Sequence, residues 1–542
     1  MRRIDWQRSA RSWWSVGLLL VVTGVLIGSA MVHTSATFDE IVMIAGGARG
    51  YETGDWDLAP EHPPLVQYLY GLPVWLARPA LPQHQAAPQR GGPMVHRYNY
   101  ARQLFWAEGN DPERLLFLGR LPAVLCALAL VLLVYAFVRR CCGPVAALLA
   151  AMLTAFLPDV LAHGGVAYND VPLALAYLAA VWLLDAFVRH PSLARALACG
   201  AVCALALAVK NSAVALLPVA LALVAVEALS RPADWRWLRH LGAGTLAAAA
   251  AAYLTLVAVY RGDFALDEYR FGLHFVFGQV TTRPAVTYLL GHISGFFWYF
   301  FPMAFLYKTS AALHLLVVVA AVGYARGFAG FRSMLRSPLR APALAALVYV
   351  ALLLGARQQI GFRYALPALP LLALLTAAGI VRTWRGAAPW LRRGIVVACA
   401  WAVLHPLTFY PYYLSYISEY GPGRARNYRV LVDSSLDWGQ GLLALRDWMG
   451  QEQIGRVYLS YFGSAVPKGY GIDYVPLPSF FPLPVLPRAA GDTVPPRWAA
   501  ISATNLSGTY FINDPFRAFR EVPPSAILAR SIYVYDLQEL AP

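Results

Sequence analysis

An all-α polytopic membrane fold with a C-terminal extracytoplasmic α/β domain is the class this sequence predicts, and three observations predict it. Of its 542 residues, 59% are hydrophobic and 13% charged, against about 25% charged in a typical soluble chain. Apolar runs long enough to cross a bilayer recur through residues 1–412. Residues 413–542 lose that pattern and hold 11 basic and 11 acidic residues, the balance of an ordinary soluble domain.

The elements follow in order. The run 13–32 lacks a small-residue cleavage site and reads as a retained signal anchor. A first outside loop covers 33–114. Spans follow near 115–138, 145–162 and 171–188. The stretch 196–229 has basic loops at both ends, so it must go out and return; it is split near Lys210–Asn211 into two short spans. A span at 241–260 leads to a second outside loop, 261–309, and the last spans lie near 310–326, 341–356, 365–382 and 394–412. About eleven transmembrane helices result, with the N-terminus cytoplasmic. Within the second loop, the aromatic run 286–306 lies between Arg283 and Lys308 and reads as an interfacial or re-entrant helix. In 413–542, "YRVLVD", "GRVYLSYFG", "RWAAISAT" and "SIYVYDL" read as strands and "WGQGLLALRDWMG" as a helix, with Asp437 placed as its N-cap beside Trp438. The Pro-rich stretch 475–488 reads as an ordered loop against the membrane surface. No internal repeat is evident.

The net charge of +15 raises nucleic acid as a partner, and its distribution excludes it. Arg2, Arg3, Arg8 and Arg11, Arg139 and Arg140, Arg189 and Arg195, Arg231, Arg236 and Arg239, Arg326, Arg332, Arg336 and Arg340, and Arg382, Arg385, Arg392 and Arg393 occupy six short loops. Those nineteen arginines face only Asp5 and Asp234, a net of +17 that exceeds the charge of the whole chain. The excess is positive-inside topology, divided among loops and forming no single basic face. The cysteines, Cys126, Cys141, Cys142, Cys199, Cys203 and Cys399, lie in apolar runs or a cytoplasmic loop and imply no disulfide framework.

With this topology the unusual polar residues share one side. Asp39 and Glu40 follow span 1, His62 lies in "EHPPL", Arg120 opens span 2 and Asp170 precedes span 4. Lys210 sits at the hairpin tip, Lys308 precedes span 8, and Arg363 and Tyr364 precede span 10. Each has a plain reading: a solvated loop acid for Asp39, a turn for His62, snorkelling for Arg120 and Lys210, a helix N-cap for Asp170. Ionisable groups at membrane depth usually face a cavity or a partner, and their convergence marks a site at the outer interface. Transfer of a sugar from a polyprenyl phosphate needs this set: cations for the departing lipid phosphate, a carboxylate to take the acceptor's proton, and a site open sideways to the bilayer.

The segments "TFDE", "GDWDLAPEHPPL", "GRLPAVL", "AYNDVPLAL", "LAVKNSAVALLP", "GFRYALPALP" and "YISEYGPGRARNYRVLVDSSLDWGQGLLAL" carry a resemblance covering nearly the whole chain. It is to the GT-C glycosyltransferases of the protein O-mannosyltransferase and aminoarabinose lipid A transferase superfamily. The resemblance implies Asp39 as catalytic base with Glu40 beside it, Asp170 as a second site acid, and Arg120 at the carrier phosphate. It implies an inverting displacement, with a polyprenyl-phosphate sugar as donor and a protein hydroxyl, lipid A or an envelope glycan as acceptor. His62 stands where the lipid A transferases carry lysine, and no insertion is long enough for the β-trefoil repeats of eukaryotic mannosyltransferases. Lys308 and Arg363 are assigned by topology. No cofactor is firmly implied; Asp39, Glu40, Asp170 and His62 are the residues a divalent ion would use. The Ala-, Arg- and Leu-rich usage points to a high-G+C bacterium and so to a C55-type polyprenyl carrier; the expected location is the bacterial inner (plasma) membrane, with the C-terminal domain periplasmic or extracellular. The competing classes are a lipid-linked glycan transporter or flippase and a non-catalytic envelope assembly factor.

Overall fold

The computed structural model describes residues 13–82, 94–231, 234–282, 286–327, 335–486 and 495–539. Arg2, Arg3, Asp5, Arg8, Arg11, Arg283, Arg332 and residues 487–488 of the Pro-rich stretch lie outside the described residues.

Every apolar run read as a span is helical. The helices are Trp13–Met31, Pro112–Cys142, Pro144–Ala155 with Pro158–His163, Asp170–Arg189, Leu193–Val209, Leu216–Ser230, Trp235–Val259, Ala311–Gly327, Arg340–Leu354, Leu369–Gly386 and Pro389–Leu407. By length and apolarity five of the described helices can cross a membrane, or six if the bent pair Phe300–Lys308 and Ala311–Arg326 counts as one. The chain is a multi-pass membrane protein on this pattern. The 31-residue helix Pro112–Cys142 starts on Asp111, whose carboxylate accepts from the Glu113 and Arg114 amides at 3.0 and 3.1 Å. The break expected at Lys210–Asn211 is present: Lys210 is extended and a 3-10 turn Asn211–Ala215 follows.

Two short helices of the first loop, Glu40–Thr53 and Pro64–Leu76, carry the front of the site. They cross where Gly47 meets Gly71; a Cβ on Gly71 would stand 2.2 Å from the Gly47 carbonyl carbon. The opposite end of the bundle is tied by ions. Arg340, buried, donates to Asp185 at 2.8 Å and pairs with Glu227, while Arg189 reaches Asp185 at 2.8 Å and Arg231 reaches Glu227 at 2.7 Å. Three of the arginines read as loop charge therefore hold helix ends together.

Five strands between Val457 and Asp536 form a mixed sheet. Its strands are β3 (Val457–Ser460), β4 (Tyr474–Pro476), β5 (Trp498–Ser502), β6 (Ala526–Leu528) and β7 (Ile532–Asp536), in the order β4-β3-β5-β7-β6. β3 is parallel to β4 and β5, and β7 is antiparallel to β5 and β6. The three later strand expectations hold; "YRVLVD" does not, since 424–429 is a 3-10 turn leading into irregular backbone. The helix is Leu442–Gln451, starting after Gly441 and not at Asp437. Contacts run across residue 412: Tyr413, Tyr416, Val430 and Trp438 belong to the same apolar core as the bundle helices.

The run 286–306 is corrected. It begins as a hairpin of β1 (Thr287–Leu289) and β2 (His292–Ser294), turning through Leu290 and Gly291, both at positive φ. Only Phe300–Lys308 is helical. Glycine supplies the left-handed turn at little cost, and the period-2 stretch TYL…HIS outweighs the aromatic content that suggested a helix.

Candidate active site

Asp39 is the N-cap residue of the helix Glu40–Thr53, yet its carboxylate makes no capping bond. Oδ1 accepts from the Tyr98 hydroxyl at 2.7 Å. Oδ2 has no protein donor among the described residues, and the side chain is half-buried. Asp39 thus presents an oriented, half-free carboxylate. His62, Lys210, Arg363, Tyr168, Tyr364 and Asp433 all lie within electrostatic reach of it.

Glu40 does something else. Neighbours in a helix do not share a face, and Glu40 turns inward, where it is wholly buried. It accepts from Arg120 Nε and Nη2 at 2.8 and 2.9 Å, from the Ala167 amide at 2.8 Å and from the Thr37 amide at 3.0 Å. Arg120 is consumed in turn: Nη1 donates to the Met31 and Thr34 carbonyls and Nη2 to the Ser35 carbonyl. Glu40, next to Asp39 in sequence, thus faces away from it, and the buried Arg120 directs its donors to Glu40 and to three backbone carbonyls. Together they pin the end of the first span to the Arg120 helix and to the turn before Asp170.

Lys308 is likewise spent. Buried, its ammonium donates to the carbonyls of Leu414, Tyr416 and Ser435 at 2.9, 2.9 and 2.8 Å. It braces the 413–440 segment and is not available as a phosphate ligand.

Asp170, Lys210, Arg363 and Tyr364 do converge. Asp170 is the first residue of its helix, following Asn169 at the N-cap. It accepts from Lys210 at 2.6 Å and from Arg363 Nη1 at 3.1 Å. Arg363 Nε donates to the Ser434 hydroxyl at 3.0 Å; Nη2 has no protein acceptor among the described residues. The guanidinium lies 4.4 Å from the Trp438 ring centroid, 4.7 Å from Tyr168 and 5.0 Å from Tyr364, and Lys210 lies 4.6 Å from Tyr364. Two cations in an aromatic cage, neutralised by one carboxylate, leave an excess positive charge beside Asp39.

His62 stands at the rim, Nε2 3.4 Å from the Tyr168 hydroxyl and Nδ1 3.4 Å from Asn169 Nδ2. Burial lowers its pKa, with Arg97 and Lys210 adding to the effect against Glu61 and Asp39. Among the described residues no three of His, Cys, Asp and Glu form a metal-binding group; Glu40 accepts from Arg120, and Asp170 from Lys210 and Arg363.

Asp437 caps no helix. It is buried, accepting from the Thr504 amide at 3.0 Å and the Gly439 amide at 3.4 Å. These bonds shape the loop that slides Trp438 under Arg363; the Phe38 amide donates to the Trp438 carbonyl at 2.9 Å. The sequence reading missed Tyr98, Tyr168, Ser434 and Asp433. The last three lay inside quoted motifs, but reading "YRVLVD" as a strand hid the turn that delivers Asp433 and Ser434.

The family model for dolichyl-phosphate-mannose-protein mannosyltransferase matches residues 114–261, a stretch containing Arg120, Asp170 and Lys210. Over that stretch the match agrees with the resemblance drawn from the motifs "GRLPAVL", "AYNDVPLAL" and "LAVKNSAVALLP". A search of curated proteins finds no match. Among solved structures the chain is similar to ArnT from Cupriavidus metallidurans bound to undecaprenyl phosphate, at 15% identity and TM-score 0.48, covering 96% of this chain and 97% of that one. It is also similar to the oligosaccharyltransferase AglB from Archaeoglobus fulgidus, solved with an inhibitory peptide and a dolichol-phosphate. There the identity is 13% and the TM-score 0.38, over 78% of this chain and 58% of that one.

Proposed function

We propose that this protein is an inverting membrane glycosyltransferase that moves a sugar from a polyprenyl-phosphate donor to an extracytoplasmic hydroxyl, with Asp39 as the base. The observation that carries the reading is the pairing of a half-free carboxylate, held by Tyr98, with the caged Lys210–Asp170–Arg363 group. The family match over residues 114–261 supports it.

In this reading Asp39 Oδ2 removes the acceptor's proton as the acceptor oxygen bonds to the sugar's anomeric carbon. The bond from that carbon to the phosphate oxygen breaks on the opposite face, and the carrier phosphate leaves with the electron pair. Arg363 Nη2 and Lys210 meet the charge that develops on it. The Tyr98 hydroxyl fixes Oδ1 and so aims Oδ2.

Incubating the purified protein with a panel of polyprenyl-phosphate sugars and crude envelope acceptor tests this, with released polyprenyl phosphate read by mass spectrometry. Asp39→Asn is expected to lose roughly 10²–10⁴-fold in turnover. Undiminished turnover by that variant would remove Asp39 from the chemistry.

A further inference from the structure

A hairpin turn of the sheet touches down on the bundle. β6 and β7 are joined through Ala529 and Arg530, and the Ser531 amide donates back to the Leu528 carbonyl at 2.9 Å. Both turn residues are left-handed, at φ +48° and +57°. So tight a hairpin favours Asn-Gly or Asp-Gly, and neither alanine nor arginine adopts that backbone freely. The turn is seated on the end of the helix Pro389–Leu407, the last expected span. The Ser415 hydroxyl donates to the Ala529 carbonyl at 3.2 Å, and Arg530 Nη2 donates to the Thr408 carbonyl at 2.8 Å.

Arg530 crowns a ladder of side chains on one face of that helix. Val397, Trp401 and His405 recur at a spacing of four, and Phe409 continues the line. Trp401 stacks on His405 at 5.6 Å, and His405 meets Phe409 edge-on at 5.8 Å. The Arg530 guanidinium lies 4.1 Å from the Phe409 ring centroid. Val397, Trp401 and Leu404 are exposed, so this face is turned to lipid. Along the axis about 12 Å separates Trp401 from Phe409, which carries the ladder from the acyl chains up to the headgroups. Tyr410, exposed at this end, is of the residue type that favours that level.

The positive charge here is unspent. Arg530 Nε and Nη1 have no protein acceptor among the described residues. Arg424, exposed, donates Nη2 to the Ile527 carbonyl at 2.6 Å and stands close enough to Arg530 for the two charges to repel. Among the described residues neither arginine forms an ion pair. Glu419, the carboxylate beside the ladder, accepts from the Trp401 indole and the Ala311 amide and lies 3.4 Å from His405 Nδ1. Forked donors on two unpaired guanidiniums suit phosphate oxygens, and the exposed face below them suits acyl chains. A soluble phosphate would gain nothing from Val397, Trp401 and Leu404. A zwitterionic headgroup would set its own ammonium against the arginines.

We infer that Arg530 and Arg424 form a binding site for the phosphate of an anionic glycerophospholipid whose chains lie along Val397, Trp401 and Leu404. Such a site exists whether or not the protein transfers sugar. A lipid held there bridges the hairpin turn to the end of the bundle, beside the Leu414 and Tyr416 carbonyls that hold Lys308.

Native mass spectrometry of the full-length protein in detergent tests it, with phosphatidylglycerol, phosphatidylethanolamine and glycerol phosphate as probes and the melting temperature as a second readout. Wild type is expected to retain phosphatidylglycerol in preference to phosphatidylethanolamine and to melt higher with it. Arg530→Ala and Arg424→Glu should each weaken the tightest phosphatidylglycerol binding at least several-fold. Arg393→Ala, at the other end of the same helix and exposed, should leave it unchanged. Arg530→Ala also removes the bond to Thr408, so Arg424→Glu, which alters an exposed side chain, decides the case if the turn loosens. Equal retention of the two lipids, no loss in Arg424→Glu, or the same loss in Arg393→Ala would each overturn the inference. Glycerol phosphate binding as tightly as phosphatidylglycerol would overturn it too, since the site would then hold a free anion and no lipid.

Discussion

Arg120 and Arg363 are both buried guanidiniums at the same end of the bundle, and they are used in opposite ways. Arg120 is fully committed to Glu40 and three carbonyls, whereas Arg363 keeps Nη2 uncommitted. Arg120→Leu leaves Glu40 charged and buried, so a loss of about 3–5 kcal/mol is expected, seen as a lower melting temperature or loss of monodisperse protein. Arg363→Lys should fold but turn over poorly, because a point charge replaces a planar fork that spans Asp170, Ser434 and the ring cage; kcat measured at matched melting temperature checks this. The sequence showed that both arginines lay near the outer interface. It did not show which had spent its donors, because that depends on backbone carbonyls, which no side-chain pattern reports.

Elements were the most legible scale wherever hydrophobic periodicity governed. The break at Lys210 follows from a run whose length the sequence shows directly, whereas the helix pair meeting at Gly47 and Gly71 lies within the stretch 33–114 read only as a loop. Legibility failed where the backbone departs from helix and regular strand: the hairpin that opens the run 286–306, and the 413–441 segment, whose Leu414, Tyr416 and Ser435 carbonyls hold Lys308. The tight crossing yields a sharp expectation. Gly71→Ala pushes a methyl into the Gly47 carbonyl carbon, which neither helix can relieve by a rotamer change, so folded yield should fall severely in size-exclusion profiles. Lys308→Met strands three buried carbonyls and should cost about 1–3 kcal/mol for each left unsatisfied, lowering the melting temperature while Asp39 itself stays in place.

At the scale of the whole molecule, Asp437 records how the bundle and the sheet are joined. Burial pushes its pKa up to about 7, against the lowering effect of the Thr504 and Gly439 amides. A carboxyl raised in the folded state stabilises below its unfolded pKa near 4, and that contribution is lost as pH rises through about 7. The melting temperature of Asp437→Asn relative to wild type should therefore climb between pH 4 and pH 7 and then level off. The joint also bears on biogenesis. Arg363 is synthesised well before Ser434 and Trp438, two of the residues that hold it. A nascent chain that ends before residue 413 has Asp170 to pair with Arg363 but lacks Ser434 and Trp438, and its Lys308 is unbraced. The Arg363 cage and the Lys308 brace are therefore completed late, only once the segment following residue 412 has been made and has packed on the bundle.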